Sequence, residues 1–394
     1  MRELAPAALA LACACACACG ASPTHARDAT TASSAAPPVR ATTPFAGARF
    51  YVDPARVRTL EAAAASDPSH AALFRAAEKI PTAIWVDSIA HVPLVASTLD
   101  AVAAARDPSL VPVFVVYDLP NRDCAAKSSA GELTVESGGE ARYASEVVDP
   151  IAAAFRAHPA IHAAVIVEPD SLANVATNLS IPKCAASEHA YRASIAYAVR
   201  AFAQPNVSVY LDAAHSGWLG WDPNRAKIAK IFSEVLAAAG GAGNVRGFAI
   251  DVSGYGAVTG DAMKRLAPGN PCDNETDYAR KLAADLAKLG VTGEGFVIDT
   301  SRAGVPDARA KGGDWCNVKN AGLGPRPEAD PSPGVDAYLW IKPPGDSDGT
   351  TDRRSPRYDA SCASEDAMDR APEAGVFFAP YFVSLAERAD PPLR

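Results

Sequence analysis

The sequence predicts an α/β fold in which parallel strands close into a barrel and helices cover its outer face. Apolar, β-rich runs recur seven times along the 394 residues, and amphipathic stretches of helical spacing lie between them. Continuous apolar strands with intervening helices are typical of a parallel sheet buried on both faces. Seven such units favour a closed β/α barrel, and an open doubly wound sheet is the alternative.

The seven runs are short and are separated by polar or helical sequence. The helical stretches 140–158 and 226–240 repeat their apolar residues at intervals of three and four. No Gly-rich phosphate-binding loop follows any run, which argues against nucleotide chemistry. In chain order the predicted strands are AIWV (83–86), VPVFVVYD (111–118), HAAVIVEP (162–169), VSVYLDA (207–213), GFAIDVS (247–253), GFVIDTS (295–301) and AYLWIKP (337–343).

Three regions are predicted along the chain. Residues 1–26 resemble a secretory signal, because Arg2 precedes a short apolar stretch that ends before a possible cleavage site. A lipid-modified cysteine within that stretch and an artefact of start-site choice are the alternatives. Residues 27–46 are rich in Ala, Ser, Thr and Pro and are predicted to be a flexible linker. Residues 47–394 then form a single catalytic domain, secreted or extracytoplasmic and possibly lipid-anchored.

Charge and motif content exclude several classes of function. The net charge of -8 argues against a basic nucleic-acid-binding surface. No H-E-x-x-H motif is present, and none of the five cysteines beyond residue 20 forms a C-x-x-C pair, so neither a metal nor another cofactor is expected. A serine triad is disfavoured because no G-x-S-x-G motif occurs.

Acids and aromatic residues gather where the predicted strands end, which is where β/α barrels place their chemistry. Indole rings cover the apolar faces of sugars, and glycoside hydrolysis requires a pair of carboxyl groups. An oligosaccharide cleft is therefore predicted, and Asp87 is a candidate substrate-binding residue within it. Trp340 lies inside the last predicted strand and is assigned to the core. The strand-end residues are Trp85, Asp87, Tyr117, Asp118, Arg122, Asp123, Glu168, Asp170, Asn174, Asp212, His215, Trp218, Trp221, Asp299, Arg302, Lys342, Asp346 and Asp348.

Five motifs together resemble glycoside hydrolase family 6, the cellobiohydrolases and endoglucanases that cleave β-1,4-glucan. The resemblance extends from about residue 43 to residue 388. It implies a distorted barrel of about seven parallel strands, an inverting mechanism and no metal. The motifs are VVYDLPNRDCAA (115–126), VIVEPDSLANVATN (165–178), YLDAAHSGWLGW (210–221), GDWCNV (313–318) and WIKPPGDSDGTTD (340–352).

The resemblance assigns roles to individual residues. Asp170 is the implied proton donor, Asp123 the acid that keeps it protonated, and Asp348 the implied catalytic base. Tyr117 and Ser129 match positions that hold the attacking water and distort the sugar. Asp212 matches a supporting carboxylate and is predicted to be one of the substrate-binding residues. The implied sugar contacts are Trp85, His215, Trp218, Trp221, Trp315, Lys342 and Asp346.

Two disulfides and three departures follow from the same resemblance. Cys124 is expected to pair with Cys184 and Cys316 with Cys362, which leaves Cys272 as the odd thiol. Members usually carry Glu at the position of Asp346, and fungal members often carry Cys at the position of Ser347. The usual N-V-A/S-N-Y segment is D-V-S-G-Y at 251–255, so Gly254 cannot make the usual side-chain contact.

The predicted activity is inverting hydrolysis of β-1,4-glucosidic bonds by a monomer whose only partner is a polysaccharide. Cellobiose release from chain ends is favoured, because the segments 124–139 and 342–362 show no deletion and can roof the cleft. The alternatives are an endo-β-1,4-glucanase of the same family and a non-catalytic glucan-binding barrel. A polysaccharide lyase is disfavoured because the acidic mouth would repel uronates.

Overall fold

The strands of the computed structural model supply the frame for the functional site. The structure describes residues 43–306 and 308–394, so the predicted signal segment and most of the predicted linker lie outside it. The strands are β1 (Arg49–Phe50), β2 (Ile84–Val86), β3 (Leu110–Val111), β4 (Val113–Val116), β5 (Ala163–Val167), β6 (Val207–Asp212), β7 (Gly247–Ile250), β8 (Gly295–Asp299), β9 (Glu328–Ser332) and β10 (Val335–Leu339).

Helices follow most of these strands and cover the outer face of the sheet. Proline stands in the first turn of several of them, where its missing N–H costs nothing. The helices are α1 (Pro54–Ser66), α2 (Ala71–Ala77), α3 (Pro93–Ala105), α4 (Gly139–Arg142), α5 (Asp149–Ala157), α6 (Ser171–Thr177), α7 (Pro182–Phe202), α8 (Ser216–Leu219), α9 (Asp222–Ala238), α10 (Met263–Leu266), α11 (Glu275–Ala287) and α12 (Ala379–Glu387).

The main sheet has eight strands in the order β2-β4-β5-β6-β7-β8-β10-β9. Each of the seven predicted runs contains one of its parallel strands, which confirms the predicted α/β class. The eighth strand, β9, pairs with β10 in the antiparallel direction and was not predicted. The remaining strands, β1 and β3, form a small parallel pair of their own.

The barrel is not closed by a continuous ladder, contrary to the closed barrel favoured from the strand count. Strands β2 and β10 occupy the two ends of the parallel array, and the Ala83 N–H donates to the Trp340 carbonyl at 3.0 Å between them. Strand β2 has only three residues, and the Trp85 indole N–H donates a hydrogen bond to the Ile341 carbonyl at 2.8 Å. The Trp85 side chain therefore occupies the Ile341 carbonyl, which a longer backbone ladder between β2 and β10 would use. The barrel is distorted at this seam between the two strands.

Both faces of the sheet are buried, as the continuous apolar runs predict. Along β4, Phe114 and Val116 pack toward the helices, whereas Val113 and Val115 pack into the barrel interior. This alternation follows from the two-residue period of a strand. A third apolar cluster joins α1, α2 and α12 at one side of the barrel.

The predicted helical stretches correspond to real helices with one irregularity. The stretch 140–158 contains α4 and α5 joined by a π-helical segment at Tyr143–Val148, and 226–240 lies largely within α9. Phe45, which the sequence analysis placed in the linker, is fully buried and stacks 6.3 Å from Tyr210. The packed domain therefore includes residues before 47. No helix in the described part of the chain is long and apolar enough to cross a membrane.

Candidate active site

A cavity of about 860 Å³ opens at the carboxyl ends of the parallel strands. Its wall brings together nearly all of the catalytic and binding residues predicted from the sequence. They come from the ends of five strands and from long loops that are far apart in the chain. The predicted residues on the wall are Trp85, Asp87, Tyr117, Asp123, Ser129, Asp170, His215, Trp218, Trp221, Trp315, Lys342, Asp346 and Asp348.

Asp170 occupies a strained position directly before α6. Its φ of 64° lies in the left-handed region, which non-glycine residues adopt infrequently because it is strained. Burial raises the pKa of Asp170 well above its usual value, and the charges of Asp212 and Asp123 raise it further. The carboxyl group therefore keeps its proton to a higher pH than an ordinary aspartate, which suits a general acid.

Asp212 lies behind Asp170 and does not line the cavity, so it cannot contact substrate as a wall residue would. It ends β6 with 5% exposure, and its Oδ2 accepts the N–H groups of Asp170 at 2.9 Å and Ala214 at 3.0 Å. Burial raises the pKa of Asp212 to about 7, although these two N–H groups oppose the rise. Its place under Asp170 fits a supporting carboxylate that fixes the donor and raises the donor's pKa.

Asp123 also lines the cavity and also has a left-handed φ, of 52°. Burial raises the pKa of Asp123 to about 6, while the positive charges of Arg122 and Lys183 act against the rise. The pKa of Asp170 is raised by burial and by two negative charges, whereas nearby positive charges favour the ionised form of Asp123. Two carboxyl groups in such different environments suit an acid-catalysed cleavage.

Arg122 organises the floor around Asp123. Its guanidinium group stacks over the Tyr117 ring at 4.5 Å, and its Nε donates to the Ser129 carbonyl at 2.7 Å. Its Nη1 also donates to the Asp87 carbonyl at 2.6 Å. One arginine therefore ties two strand ends to the loop that carries Ser129. Trp85 meets the Tyr117 ring edge-on at 5.6 Å.

Asp348 is surrounded by hydrogen-bond donors. Its carboxylate accepts from Arg302 at 2.6 Å, the Asn317 N–H at 2.8 Å and the Tyr255 hydroxyl at 3.0 Å, and Lys342 Nζ lies at 3.3 Å. Although burial acts in the opposite direction, the charges of Arg302 and Lys342 hold the pKa of Asp348 below its usual value. Asp348 is therefore a stable anion and a weak base.

Three of these partners were not assigned a role by the sequence analysis. Arg302 was noted at the end of the sixth run, and its guanidinium group also lies 4.0 Å from the Tyr255 ring centroid. Tyr255 and Asn317 carried no signal beyond their neighbours in D-V-S-G-Y and W-C-N. Only the fold reveals that all three converge on one carboxylate.

Asp346 forms an ion pair with Arg56 at 2.9 Å, a partner that the sequence analysis missed. Burial raises the pKa of Asp346, and the positive charges of Arg56 and Lys342 oppose the rise. Arg56 also lies 4.8 Å from the centroid of the Phe377 ring. The shorter acidic side chain is thus anchored by an arginine from α1, nearly the whole chain length away.

The four cavity tryptophans are half-buried, as expected of sugar platforms. The Trp218 indole N–H donates to Thr177 Oγ1 at 2.9 Å, which fixes the ring beside His215. Burial, assisted by the charge of Arg309, lowers the pKa of His215 to about 3, so the ring is neutral. Trp340 is buried in the core, but it follows β10 and does not lie inside the strand.

Asp87 stands at the rim of the cavity. Its carboxylate pairs with His91 Nδ1 at 2.6 Å, and the side chain is 37% exposed. His91 lies in a short 3-10 turn at Ile89–His91 and also lines the cavity. The Asp87–His91 pair can therefore contact only a bound sugar chain that extends to the rim of the cavity.

The segments 124–139 and 342–362, here called the roof loops, contact each other at the cavity. The Lys127 N–H donates to Asp359 Oδ2 at 3.2 Å, and Arg357 Nε donates to the Ser128 carbonyl at 2.8 Å. Residues of both loops line the cavity. Two hydrogen bonds therefore join the loops that border the cavity.

Each roof loop is anchored by a disulfide of the predicted pairing. Cys124 bonds to Cys184 and Cys316 to Cys362, while Cys272 is a buried free thiol. Cross-links that close loops of this length contribute roughly 2–4 kcal/mol to stability. The anchors restrain the roof loops next to Asp123 and Asp348.

Gly254 lines the cavity without offering a side chain to it. A Cβ placed at this position would lie 1.8 Å from Asp251 Oδ1. A side chain at 254 is therefore incompatible with the position of the Asp251 carboxylate. The two departures in the D-V-S-G-Y segment depend on each other.

Comparison with known proteins gives the chain a family. The model of the glycosyl hydrolases family 6 matches residues 45–389. The chain belongs to glycosyl hydrolase family 6. It is accordingly a glycoside hydrolase, and the resemblance inferred from the five motifs is confirmed.

Named relatives and a solved structure agree with this assignment. Exoglucanase 3 of Agaricus bisporus is 39% identical over 89% of this chain and 80% of its own length. The 1,4-beta-D-glucan cellobiohydrolase C of Emericella nidulans is 40% identical over 88% of this chain and 78% of its own length. The catalytic core of the cellobiohydrolase Cel6A from Chaetomium thermophilum superimposes with a TM-score of 0.86 at 35% identity, covering 90% of this chain and all of that one.

Proposed function

We propose that this chain hydrolyses β-1,4-glucosidic bonds of cellulose or a related β-glucan with inversion, acting at chain ends and releasing cellobiose. One observation carries the proposal: Asp170, with a raised pKa, and Asp348, with a lowered pKa, both line a cavity that also holds four tryptophans and is bordered by two loops that contact each other. The relatives named as an exoglucanase and a cellobiohydrolase support the same activity.

Asp170 is the proposed proton donor. Its raised pKa supplies a neutral carboxyl group, whose proton passes to the glycosidic oxygen as the bond to the anomeric carbon breaks. Asp212 holds the Asp170 backbone N–H and adds the negative charge that keeps the donor protonated. Asp123 contributes further negative charge, which also stabilises the positive charge that develops on the sugar ring.

Asp348 is the proposed acceptor on the water side. Water attacks the anomeric carbon and loses a proton toward this carboxylate, directly or through a second water. The donors around Asp348 make it a weak base, so it accepts a proton only from a water already made acidic by bond formation. Tyr117 and the loop carrying Ser129 position the sugar and this water.

The remaining wall residues are proposed to hold the glucan chain. Indole rings stack on the apolar faces of pyranose rings, while Lys342, Asp346 and His215 offer polar atoms to hydroxyl groups. Several stacking platforms in a row allow a chain to slide without losing all of its contacts. The proposed platforms are Trp85, Trp218, Trp221 and Trp315.

The roof loops support chain-end action over internal cleavage. A covered passage admits a chain by threading its end, whereas internal attack requires the loops to separate. The alternative is an endo-β-1,4-glucanase of the same family whose loops open often. Gly254 and the anchored Asp346 favour that alternative to the extent that they weaken the grip on the chain.

The proposal includes the setting of the enzyme. Two disulfides suit an oxidising compartment, so secretion is proposed, with a lipid-anchored form as the alternative. The enzyme is also proposed to be a monomer. Residues 1–26 are the proposed signal peptide and the following Ala/Ser/Thr/Pro-rich stretch the proposed linker. No metal is assigned to the hydrolytic step.

Stereochemistry tests the proposed reaction. Proton NMR of cellotetraose hydrolysis should show the α-anomer of the product first, because inversion converts a β-glucosidic bond into an α-anomer. An inverting site separates its two carboxyl groups by about 6.5–9.5 Å, which leaves room for the attacking water molecule. The Asp170→Asn variant serves as the control for contaminating activity. An initial β-anomer from the wild-type protein would contradict inversion.

A further inference from the structure

A second group of titratable side chains extends from His215, on the cavity wall beside Trp218, to two buried acids that do not line the cavity. His215 follows β6, Asp251 follows β7 and Glu275 begins α11, so the three come from distant chain segments. One ligand atom from each lies within 4.8 Å of the other two. Both acids are buried, with Asp251 at 1% exposure and Glu275 at 0%.

The hydrogen bonds of the cluster leave two of its polar atoms unused. Glu275 accepts the Ser216 N–H at 2.8 Å and the Ser216 hydroxyl at 2.6 Å, and Asp251 Oδ2 accepts the Gly256 N–H at 2.7 Å. Asp251 Oδ1 and His215 Nδ1 are buried and have no hydrogen-bond partner among the described residues. Buried polar atoms nearly always have a partner, so these two atoms indicate a missing one.

The two acids also lack a direct counter-charge. Arg309 is the cation that acts on them, but its Nη1 donates to the Gly312 carbonyl at 3.1 Å. Its Nε and Nη2 have no partner, and within the described chain it makes no ion pair with either acid. Two carboxylates buried without a paired cation are costly, because the interior solvates charge poorly.

The backbone around the cluster fixes both carboxylates. A Cβ at Gly256 would lie 2.2 Å from Glu275 Oε1, just as one at Gly254 would collide with Asp251. The turn 251–256 therefore wraps closely around the two acids. The fold therefore holds the carboxylate oxygens of Asp251 and Glu275 in place, as in a preorganised binding site.

We propose that His215, Asp251 and Glu275 form a binding site for a divalent metal ion of the zinc type. One imidazole nitrogen and two carboxylate oxygens are ligands that Zn²⁺ accepts, whereas Ca²⁺ takes oxygen ligands alone. A cation here would partner the two unused atoms and neutralise both acids. It lies outside the proposed hydrolytic step.

The site would act on the cavity wall from behind. A metal held by Nδ1 leaves the proton of the imidazole on Nε2, which fixes His215 as a donor on its other side. The same ion would pin the turn that carries Gly254 and Tyr255. Metal binding is therefore expected to stabilise the fold and to hold one wall of the cavity.

Calorimetry with ZnCl2 tests the proposal on tag-free, EDTA-treated protein of full length. The wild-type protein should bind one zinc ion per chain in a saturable isotherm, and its Tm should rise with Zn²⁺ and not with CaCl2. Asp251→Asn and Glu275→Gln should each abolish both effects. Asp100→Asn, which removes the acid of the exposed His158–Asp100 pair at 2.9 Å, should leave them unchanged.

Several outcomes would overturn the site. These are the absence of saturable zinc binding by the wild-type protein, an unchanged isotherm in both Asp251→Asn and Glu275→Gln, or an equal response to Ca²⁺. X-ray absorption of the zinc-loaded wild-type protein should show nitrogen and oxygen neighbours with one imidazole. A sulfur neighbour would assign the ion to Cys272 instead and would equally overturn the proposal.

Discussion

Asp170 owes its proposed role to its neighbours more than to its own residue type. It is one of many acids in the chain, but it is half-buried, its backbone N–H bonds to Asp212, and the charges of Asp212 and Asp123 add to the rise in its pKa. A protonated carboxyl group beside a reacting oxygen can act as a general acid. The residue scale is therefore where the proposed chemistry is most directly tested.

Substitution of Asp170 by Asn should remove the proton donor and keep the fold. General acid catalysis contributes roughly 10²–10⁴ in rate, so initial rates on cellotetraose should fall by about that factor. Binding of cellotetraose, measured by calorimetry, should persist. Asp261→Asn, at an exposed acid on the surface, is the matched control. Wild-type turnover by Asp170→Asn would remove Asp170 from the donor role.

The Asp212→Asn variant should change the pH profile. Asp170 must be protonated to act, so activity is lost as the pH rises through the pKa of Asp170. The Asp212 charge raises that pKa, and its removal should lower it. The alkaline limb of the kcat profile on cellotetraose should therefore move to lower pH. An alkaline limb that stays in place would show that Asp212 does not tune the donor.

Motif spacing predicted where the site residues stand but not how they are held. Apart from Trp85, which lies within β2, the predicted wall residues follow strands or lie in flanking loops, and a parallel barrel brings these positions to one end. The partners of Asp346 and Asp348 could not be predicted, because Arg56 and Arg302 reach them through the fold. Placing Asp212 behind the wall likewise required coordinates.

At the scale of elements, the strands were predictable and the seam was not. An unbroken apolar run in the sequence indicates a buried parallel strand, so all seven parallel strands were predicted. Strand β9 (Glu328–Ser332) reads EADPS, a polar segment with a proline at a sheet edge, and periodicity gives no signal there. The open seam depends on the Trp85 indole bond, which no local pattern encodes.

The roof loops are the elements on which the mode of attack depends. Arg357→Ala should remove the bond to the Ser128 carbonyl and loosen the roof, so internal cleavage should increase. The ratio of soluble to insoluble reducing ends released from amorphous cellulose should fall. Arg354→Ala, in the same loop but 91% exposed and paired only with Asp352, is the control. An equal fall in both variants, or in neither, would contradict the role of the contact.

At the scale of the whole molecule, family membership establishes the glycoside hydrolase class, and the contact between the roof loops supports the proposed direction of attack. The cavity walls, the tryptophan platforms and the disulfide-anchored roof all favour a chain that enters by its end. An endoglucanase with the same strand-end acids would differ chiefly in the time its roof spends open. The central claim is therefore one of access to the carboxyl groups.

Viscosity measured against reducing ends on carboxymethyl cellulose tests that claim most directly. A single internal cut shortens a long chain greatly, whereas removal of cellobiose from an end barely changes its length. The wild-type protein should release reducing ends with little loss of viscosity, and cellobiose should be the main product from unmodified cellulose. A steep fall in viscosity at low conversion, with mixed long products, would contradict chain-end attack and make this enzyme an endoglucanase.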